Sequence, residues 1–283
     1  MRPKISVIIP VYRDWTRLGL CLEALERQSL GTSAFEVIVV DNEPEPSVPA
    51  VPLPANVRII HEPTPGSYIA RNTAATASRA PVLAFTDSDC IPAADWLKQG
   101  LAALRSHPEA RITGPVRIFK EQGATRYAYI HDLHTAFRQR ENVAGGYCVT
   151  ANLIVARDVF DRVGPFDPCL SGGDVRWGRR AQAAGVPIQY VEDVEVAHPA
   201  RRNLADILRK RRRTGGSLPR NVSVPRFLFE RIKPPLGRLR ALRREGVGMS
   251  EALFVFGVHW AARLVEAQEL SLVRLGLRRP SRS

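Results

Sequence analysis

Three apolar segments near the N-terminus constrain the fold of this chain more than any other feature. They are residues 5–10 (ISVIIP), 35–40 (FEVIVV) and 82–86 (VLAFT). Each is a largely β-branched or apolar run without polar alternation, which is typical of strands buried on both faces of a parallel sheet. Between the first two, residues 16–28 (TRLGLCLEALERQ) carry apolar side chains at helical spacing.

A strand, a helix and a strand within about forty residues predict a βαβ unit with a right-handed crossover. The fold class is therefore α/β, with a mostly parallel central sheet flanked by helices, as in Rossmann-like proteins. A proline-rich loop at residues 44–54 precedes a short strand at 57–61 and a helix at 67–78. Residues 189–197 (QYVEDVEVA) alternate as expected for one half-buried strand.

Charge divides the 283-residue chain into two parts. Residues 1–200 hold 21 Lys plus Arg and 22 Asp plus Glu, whereas residues 201–283 hold 20 and 6. Because 45% of the residues are hydrophobic, a disordered chain is excluded. We predict one domain at residues 1–200, made of two parts that meet near residue 110. A basic, amphipathic, mainly helical extension follows at 201–283.

The extension admits several partners. Its basic run at 209–213 (RKRRR) and the apolar face of residues 252–275 suit a helix lying on an anionic membrane surface. Charged residues interrupt the apolar segment too often for a membrane span. Packing on the core or on a second subunit, in a homo-oligomer, remains an equal alternative, because amphipathic helices are usually core elements.

Four cysteines lie far apart, without a CxxC pair, at positions Cys21, Cys90, Cys148 and Cys169. This pattern favours a reducing compartment over a disulfide framework. The N-terminal apolar run is too short for the core of a signal peptide. We expect a cytoplasmic protein, peripheral on the inner face of the cell membrane if the extension docks there.

An Asp-x-Asp pair follows the third apolar segment. Asp87 and Asp89 stand one residue apart in a predicted turn, at the carboxyl end of a buried strand, where ligands bind in open parallel sheets. Two such carboxylates can approach a hard divalent cation and leave positions open for phosphate oxygens. The alternative for an isolated pair is a helix cap or an Asx-turn.

Five segments in order carry a family resemblance. They are IIPVYRD, VIVVDNEP, TPGSYIARNTA, FTDSDCIP and VGPFDPCLSGGDVRWGRRAQAAG. Together they resemble the inverting nucleotide-sugar glycosyltransferases of family 2, which have the GT-A fold, over residues 4–200. The resemblance implies that residues 1–200 are the catalytic domain, with a nucleotide-sugar-binding part at about 1–110 and an acceptor part at about 111–200. The resemblance implies a UDP-, GDP- or dTDP-sugar donor, a glycan or lipid-linked acceptor, and Mn²⁺ or Mg²⁺ as cofactor, in polysaccharide biosynthesis.

The resemblance also implies roles for single residues. In the donor site, a nucleotide would contact Pro10, Val11, Tyr12, Asp41, Arg71, Asp87 and Asp89. Among these, Asp41 matches the acid that bonds the base or ribose, and Arg71 matches an arginine near the diphosphate, for which a guanidinium has the right geometry. Asp89 matches the direct metal ligand, with Asp87 beside it and His198 as a third ligand.

Asp174 matches the family's general base, which takes the proton of the acceptor hydroxyl as its oxygen attacks the anomeric carbon. Two positions depart from the family pattern, since Gly173 and Arg176 stand where acids are usual. On the acceptor side we place Gly146, Trp177 and Arg180, although Trp177 suits the core better.

Some predictions rest on the residues alone, without a match to the family. His131 and His134 have helical spacing, and we assign both to a helix surface. Two other functions stay open from the residues alone, namely a nucleic-acid-binding protein that uses the Arg-rich extension, and a nucleotidyltransferase. The resemblance argues against nucleic acid as a partner. A dinucleotide dehydrogenase is disfavoured, because no GxGxxG follows the first strand.

Overall fold

The computed structural model describes residues 2–47 and 53–280, so residues 48–52 of the predicted proline-rich loop lie outside the described residues. The chain forms two compact units. The first comprises Met1–Arg117, Phe137–Cys169 and Gly173–His198, and the second comprises Ile118–Ala136, Leu170–Gly172 and Pro199–Ser283. The predicted domain boundary at 200 lies near the break at His198, but the second unit also takes Ile118–Ala136 from the predicted acceptor part.

The strands are, in chain order, β1 (Ile5–Val11), β2 (Phe35–Asp41), β3 (Val57–His61), β4 (Val82–Phe85), β5 (Ile91–Pro92), β6 (Arg111–Thr113), β7 (Val116–Phe119), β8 (Leu153–Ala156), β9 (Ile188–Tyr190) and β10 (Val196–Pro199). The α-helices are α1 (Trp15–Glu26), α2 (Ser67–Ala77), α3 (Trp96–Ser106), α4 (Arg126–Thr135), α5 (Gln139–Ala144), α6 (Arg157–Val163), α7 (Gly173–Ala183), α8 (Leu204–Gly216), α9 (Val224–Ile232), α10 (Leu236–Arg244) and α11 (Met249–Arg274).

A seven-stranded sheet organises the first unit in the order β3-β2-β1-β4-β8-β6-β9. The first four strands of this order are parallel to one another, β8 is antiparallel to both β4 and β6, and β9 is parallel to β6. The predicted α/β class with a mostly parallel sheet is therefore confirmed.

Both faces of the sheet are covered by apolar layers. On β1, Val7 and Ile9 belong to the cluster that includes α1 and α3, whereas Ile8 belongs to the cluster on the opposite face, with α2, α6 and α7. This explains why the first segment is apolar at every position except Ser6, whose hydroxyl donates to Glu36 Oε1 at 2.6 Å. Neighbouring side chains point to opposite faces, and each face has its own core.

The predicted strand at 189–197 is two strands in the structure. Val194 N–H donates to Val191 C=O at 3.2 Å, so the chain turns between β9 and β10. The carbonyl groups of both residues approach Gly114 so closely that a Cβ there would collide with them. After the turn, β10 joins a separate small sheet in the order β5-β10-β7.

Arg111 ties three chain segments to the sheet. Its side chain is 1% exposed, and its guanidinium donates to the carbonyl oxygens of Gly146, Gly178 and Val186 at 3.1, 3.0 and 2.8 Å. The arginine fork can satisfy several buried carbonyls at once. It thereby fixes the Gly146 turn and α7 against β6.

The second unit is a group of helices around α11. The apolar face predicted to meet a membrane is covered within this unit, where its residues are buried: Ala252, Val255, Ala262, Ala267 and Leu270. The interpretation of α11 as a packing element is therefore the one that the structure supports. In the part of the chain that the structure describes, none of the helices combines the length and apolarity needed to cross a membrane.

The predicted surface position of His131 is wrong. The sequence places it on a helix surface, but its side chain is 1% exposed, next to the equally buried Asp132. Burial lowers the pKa of His131, while the hydrogen bond to Asp132 raises it. His134 is partly exposed, and its Nε2 lies 3.1 Å from Glu251 Oε1.

Candidate active site

The carboxyl ends of β1, β2 and β4 bring the predicted donor residues to one edge of the sheet. Asp41 pairs in register with Val11, as the last residues of β2 and β1. Thr86, directly after β4, is buried, donates from its hydroxyl to Ala151 C=O at 3.0 Å, and so fixes the start of the Asp-x-Asp turn. Carboxylates at the ends of β2 and β4, the strands on either side of β1, therefore lie at the same edge.

Four side chains at this edge could hold a metal ion. Asp87, Asp89, Cys90 and His198 each offer a ligand atom, and these atoms all lie within 4.8 Å of one another. His198 reaches the turn because β10 pairs antiparallel with β5, the strand that follows Asp89 and Cys90. Its Nε2 lies 3.4 Å from Asp89 Oδ2.

Electrostatics at this cluster favours a bound cation. Burial raises the pKa of Asp89, the charge of His198 lowers it, and the neighbouring charge of Asp87 raises it again. Two carboxylates side by side thus repel each other, and a divalent cation would relieve that repulsion. The oxygen and imidazole donors suit Mn²⁺ or Mg²⁺.

The thiols beside the cluster are not activated. Burial and the charges of Asp87 and Asp89 raise the pKa of Cys90 well above its usual range, and the same causes raise the pKa of Cys21. The pKa of Cys148 is raised to about 12, chiefly by burial. Neutral thiols are poor nucleophiles and poor ligands. A hard cation such as Mn²⁺ or Mg²⁺ prefers oxygen donors to thiols, so the two carboxylates are favoured over Cys90 as ligands.

Arg71 supplies a fixed positive charge next to Asp87, with which it forms a hydrogen-bonded ion pair. The Arg71 side chain is 3% exposed, and its Nε has no hydrogen-bond partner. A buried guanidinium with a spare donor can bind a further oxygen atom.

Asn42 sets the start of the helix that carries Arg71. Its Nδ2 donates to Glu62 C=O and Thr64 C=O at 2.6 and 2.8 Å, and its Oδ1 accepts from Gly66 N–H at 3.0 Å. Gly66 has φ of +140°, which a side chain would strain, and α2 begins at the next residue. Asn42 therefore holds α2 against the end of β2.

Tyr68 links Arg71 to Asp174. The Arg71 guanidinium lies 5.2 Å from the centre of the Tyr68 ring, and the Tyr68 side chain is hydrogen-bonded to Asp174 in the first turn of α7. Burial and the charge of Asp174 raise the pKa of Tyr68, so its hydroxyl stays protonated and donates. A chain of contacts thus runs from Asp87 through Arg71 and Tyr68 to Asp174.

Gly173 has a structural reason for replacing the usual acid. A Cβ at this position would lie 2.7 Å from the Tyr68 ring, closer than real side chains approach. The start of α7 therefore sits directly on Tyr68, at the point where the resemblance leads one to expect a glutamate.

The remaining predicted donor residues lie at the carboxyl ends of β1 and β2 or directly after β1. Pro10 and Val11 are buried, whereas Tyr12 is partly exposed, with the Arg13 guanidinium 5.0 Å from its ring centre. Asp41 is 2% exposed, and its Oδ2 accepts from Ser47 N–H and Ser47 Oγ at 2.7 and 2.9 Å. Asp41 thus holds the loop that follows β2.

The three acceptor-side residues have structural partners. Trp177 is 1% exposed, packs against Phe160 and donates from Nε1 to Gly164 C=O at 2.8 Å, so its ring offers no face to a sugar. Arg180 pairs with Asp167 at 2.5 Å. Gly146 has φ of +82°, and a Cβ there would collide with the amide of Gln182.

Sequence reasoning missed Tyr68 and Asn42. Tyr68 stands three residues before Arg71, a spacing that puts both on one helix face, and this was the available signal. Asn42 carries no signal in the sequence, because its partners Glu62, Thr64 and Gly66 are distant along the chain.

Comparison with known proteins agrees with this arrangement. The sequence profile of glycosyl transferase family 2 matches residues 6–164. The chain belongs to glycosyl transferase family 2. The predicted family, and with it the assignment of the chain as a transferase, is confirmed.

Named relatives of this family 2 chain extend the comparison. Glycosyltransferase AglE of Haloferax volcanii is 32% identical over 287 residues, which span 93% of this chain and 94% of that protein. The pre-mycofactocin glycosyltransferase of Mycobacterium tuberculosis is 28% identical over 225 residues, 75% of this chain and 46% of that protein.

A solved structure supports the fold of this family 2 chain. The crystal structure of GalNAc-T7 with UDP, GalNAc and Mn²⁺ matches with a TM-score of 0.53 at 13% identity, over 71% of this chain and 44% of that one. At that identity the likeness shows the fold alone, which is the GT-A type that the resemblance implies.

We expect Gly173→Ala to lower the free energy of unfolding of this family 2 chain by about 1–3 kcal/mol, because the new Cβ must displace the buried Tyr68 ring. Gly257→Ala is the matched control. Gly257 lies within α11 with nothing within 4 Å of its Cβ position, and the change should stabilise by about 0.5–1 kcal/mol. Urea unfolding measures both, and equal effects would contradict the packing of α7 on Tyr68.

Proposed function

We propose that this chain is a metal-dependent, inverting glycosyltransferase. It would move a sugar from a UDP-, GDP- or dTDP-sugar to a hydroxyl of a glycan or lipid-linked acceptor, in polysaccharide biosynthesis. The observation that carries the proposal is the cluster of Asp87, Asp89 and His198 at the carboxyl ends of parallel strands, joined through Arg71 and Tyr68 to Asp174.

Asp89, Asp87 and His198 are the proposed ligands of Mn²⁺ or Mg²⁺. When bound, such an ion would neutralise negative charge on the diphosphate of the donor. Arg71 adds a cation beside the same carboxylates, and its spare Nε–H suits a phosphate oxygen. Tyr12, directly after β1, and Asp41, the last residue of β2, are the proposed contacts for the base and ribose. Pro10 and Val11, at the end of β1, form the backbone beside them.

Asp174 is the proposed general base. An inverting transfer needs a carboxylate that removes the acceptor proton on the face opposite the leaving diphosphate. The protonated Tyr68 hydroxyl holds Asp174 by a hydrogen bond, and Gly173 lets α7 start close to Tyr68. Tyr68 is therefore a positioning residue in this proposal.

The proposed setting is the cytoplasm. None of the four cysteines forms a disulfide, and three of them are buried, as suits a reducing compartment. The extension would bind an anionic lipid surface, but through a different face from the one that the sequence indicates. None of the residues of α9 is buried, and exposed apolar side chains cluster at Phe229, Ile232 and Leu236. Lys233 and Arg226 nearby are exposed cations, which complement acidic head groups.

Asp89→Asn should weaken Mn²⁺ binding by roughly 100-fold, since it removes a proposed direct ligand, and even outer partners of metal ligands cost 10- to 100-fold. Calorimetric titration with Mn²⁺ in the presence of UDP measures the affinity. Asp161→Asn, at an exposed position on α6, is the control and should leave it unchanged. Unchanged affinity in Asp89→Asn would remove Asp89 from the metal site.

Asp174→Asn should lower kcat by roughly 10²- to 10⁴-fold while donor affinity stays the same, because only proton removal is lost. Asp158→Asn is a close control. Asp158 also stands in the first turn of a helix, and its Oδ1 accepts from the next backbone N–H, as that of Asp174 does. Turnover and donor titration together decide the point, and a rate near that of the parent chain would refute the assignment.

Phe229→Ser should weaken binding to phosphatidylglycerol vesicles by about tenfold or more, because burial of one phenyl side chain in the interface stabilises by about 1.5–3 kcal/mol. Leu20→Ser, at a 47% exposed position on α1, is the control. Co-sedimentation at low salt gives both affinities. Equal binding by the parent chain and Phe229→Ser would exclude α9 as the docking surface.

A further inference from the structure

The second unit contains a dense cluster of cationic side chains on facing helices. Within it, Glu266 of α11 is 3% exposed and faces two guanidinium groups. Arg211 Nη1 lies 3.7 Å from Glu266 Oε2, and Arg231 Nη2 lies 3.5 Å from Glu266 Oε1. Both distances exceed those of good hydrogen bonds, so one carboxylate is shared loosely by two arginines.

Gly215 explains why Arg211 is held there. A Cβ on Gly215 would collide with the backbone carbonyl of Glu266, so α8 and α11 meet at backbone level. Arg211 stands four residues before Gly215, on the same face of α8, and is therefore directed towards α11.

The second buried carboxylate of the cluster is already engaged. Asp132 is 2% exposed, and its two oxygens accept from Arg201 Nη1 at 2.6 Å and from Arg201 N–H at 2.9 Å. Its Oδ1 also lies 3.1 Å from His131 Nδ1. Asp132 is therefore already paired with Arg201 and His131.

Cations outnumber these two acids. The charge of Arg201, burial, and the charges of Arg213 and Arg211 lower the pKa of Lys210 to about 7. Burial and the charges of Arg211, His131, Arg263 and Arg238 lower the pKa of His259 to about 3, so this histidine is neutral. Concentrated positive charge of this kind destabilises a fold unless an anion compensates it.

Unused donors point to the same conclusion. Arg231 Nε and Arg263 Nε are buried and have no hydrogen-bond partner, and His259 Nδ1 is likewise buried without one. Buried polar atoms are normally paired, so each exception needs an explanation. A bound ligand with several acceptor oxygens supplies one.

We propose that this cluster, centred on Arg211 with Lys210, Arg201, Arg231 and Arg263, is a binding site for a phosphate or diphosphate group. Guanidinium forks and an ammonium group match the geometry and charge of phosphate oxygens. A phosphate carries up to two negative charges and at least three acceptor oxygens. A carboxylate carries one charge and two oxygens and would therefore balance fewer of these cations. The site belongs to the second unit and does not depend on the proposed donor site, whose residues are all in the first.

The basic run of α8 supplies its own control. Arg209 and Arg212 are exposed, whereas Lys210 and Arg211, between them, turn inward. At a pH of about 6, below the lowered pKa of Lys210, Arg209→Gln and Arg212→Gln together remove the same charge as Lys210→Gln and Arg231→Gln together. Any difference between the two double variants therefore reports position rather than net charge.

The experiment titrates the full chain with inorganic phosphate and pyrophosphate at constant ionic strength, by calorimetry and by thermal unfolding. We expect both anions to bind the parent chain and raise its Tm, because a ligand of the folded state stabilises it. Lys210→Gln with Arg231→Gln should weaken binding by about tenfold or more, and the exposed pair should not. Lys210→Gln alone should keep or raise the Tm without phosphate, since it removes one charge from a group of cations that repel one another. Loss of a lysine with only a structural role would lower the Tm.

Two results would overturn the proposal: absence of phosphate and pyrophosphate binding, or an equal loss in both double variants. Loss of binding in Arg71→Lys alone would place the anion in the first unit and would also exclude the site. A further arm identifies the source of the phosphate. If vesicles containing phosphatidic acid bind through Lys210 and Arg231 and free phosphate competes, the ligand is a lipid head group. If only the soluble anions depend on these residues, it is a free phosphate or phosphate ester.

Discussion

The repulsion between two carboxylates at the end of β4 is the constraint on which the rest of the first unit depends. Asp87 and Asp89 are held beside each other by a turn that begins at Thr86, whose hydroxyl donates to the carbonyl oxygen of Ala151. The buried Arg71 pairs with Asp87 and offsets its charge. His198, which lies in the separate small sheet, contacts Asp89. Each of these partners comes from a different element, so the parallel sheet, α2 and β10 must all be in place before the site exists.

The same kind of imbalance, with the sign reversed, organises the second unit. There the cations of α8 and its neighbours exceed the buried acids beside them, Asp132 and Glu266, while the third buried acid, Glu269, is paired with Arg278. An unbalanced buried charge is costly in a low dielectric, and proteins retain it where a ligand balances it. In the first unit that ligand is a metal ion with a sugar diphosphate, and in the second it is a phosphate; both assignments are proposals that rest on this shared argument.

The sequence predicted those parts of the fold that local patterns encode. The apolar runs of β1 and β2 and the helical spacing of α1 lie where the structure has them, because burial on both faces of the sheet favours apolar residues along these strands. It failed where distant segments decide. One alternating segment became β9 and β10, since carbonyl groups close to Gly114 require a turn. His131, assigned to the surface, is buried beside Asp132.

What the sequence by itself determined is the order of the strands and helices, the family, and the identity of the acids at the strand ends. These follow from short-range periodicity and from motifs a few residues long. Only the tertiary structure decided that Tyr68 joins Arg71 to Asp174, that Gly173 is required by the Tyr68 ring, and that a basic helix turns Lys210 and Arg211 inward. The physical reason is that packing and Coulomb interactions act between residues near in space, and separation along the chain does not report that distance.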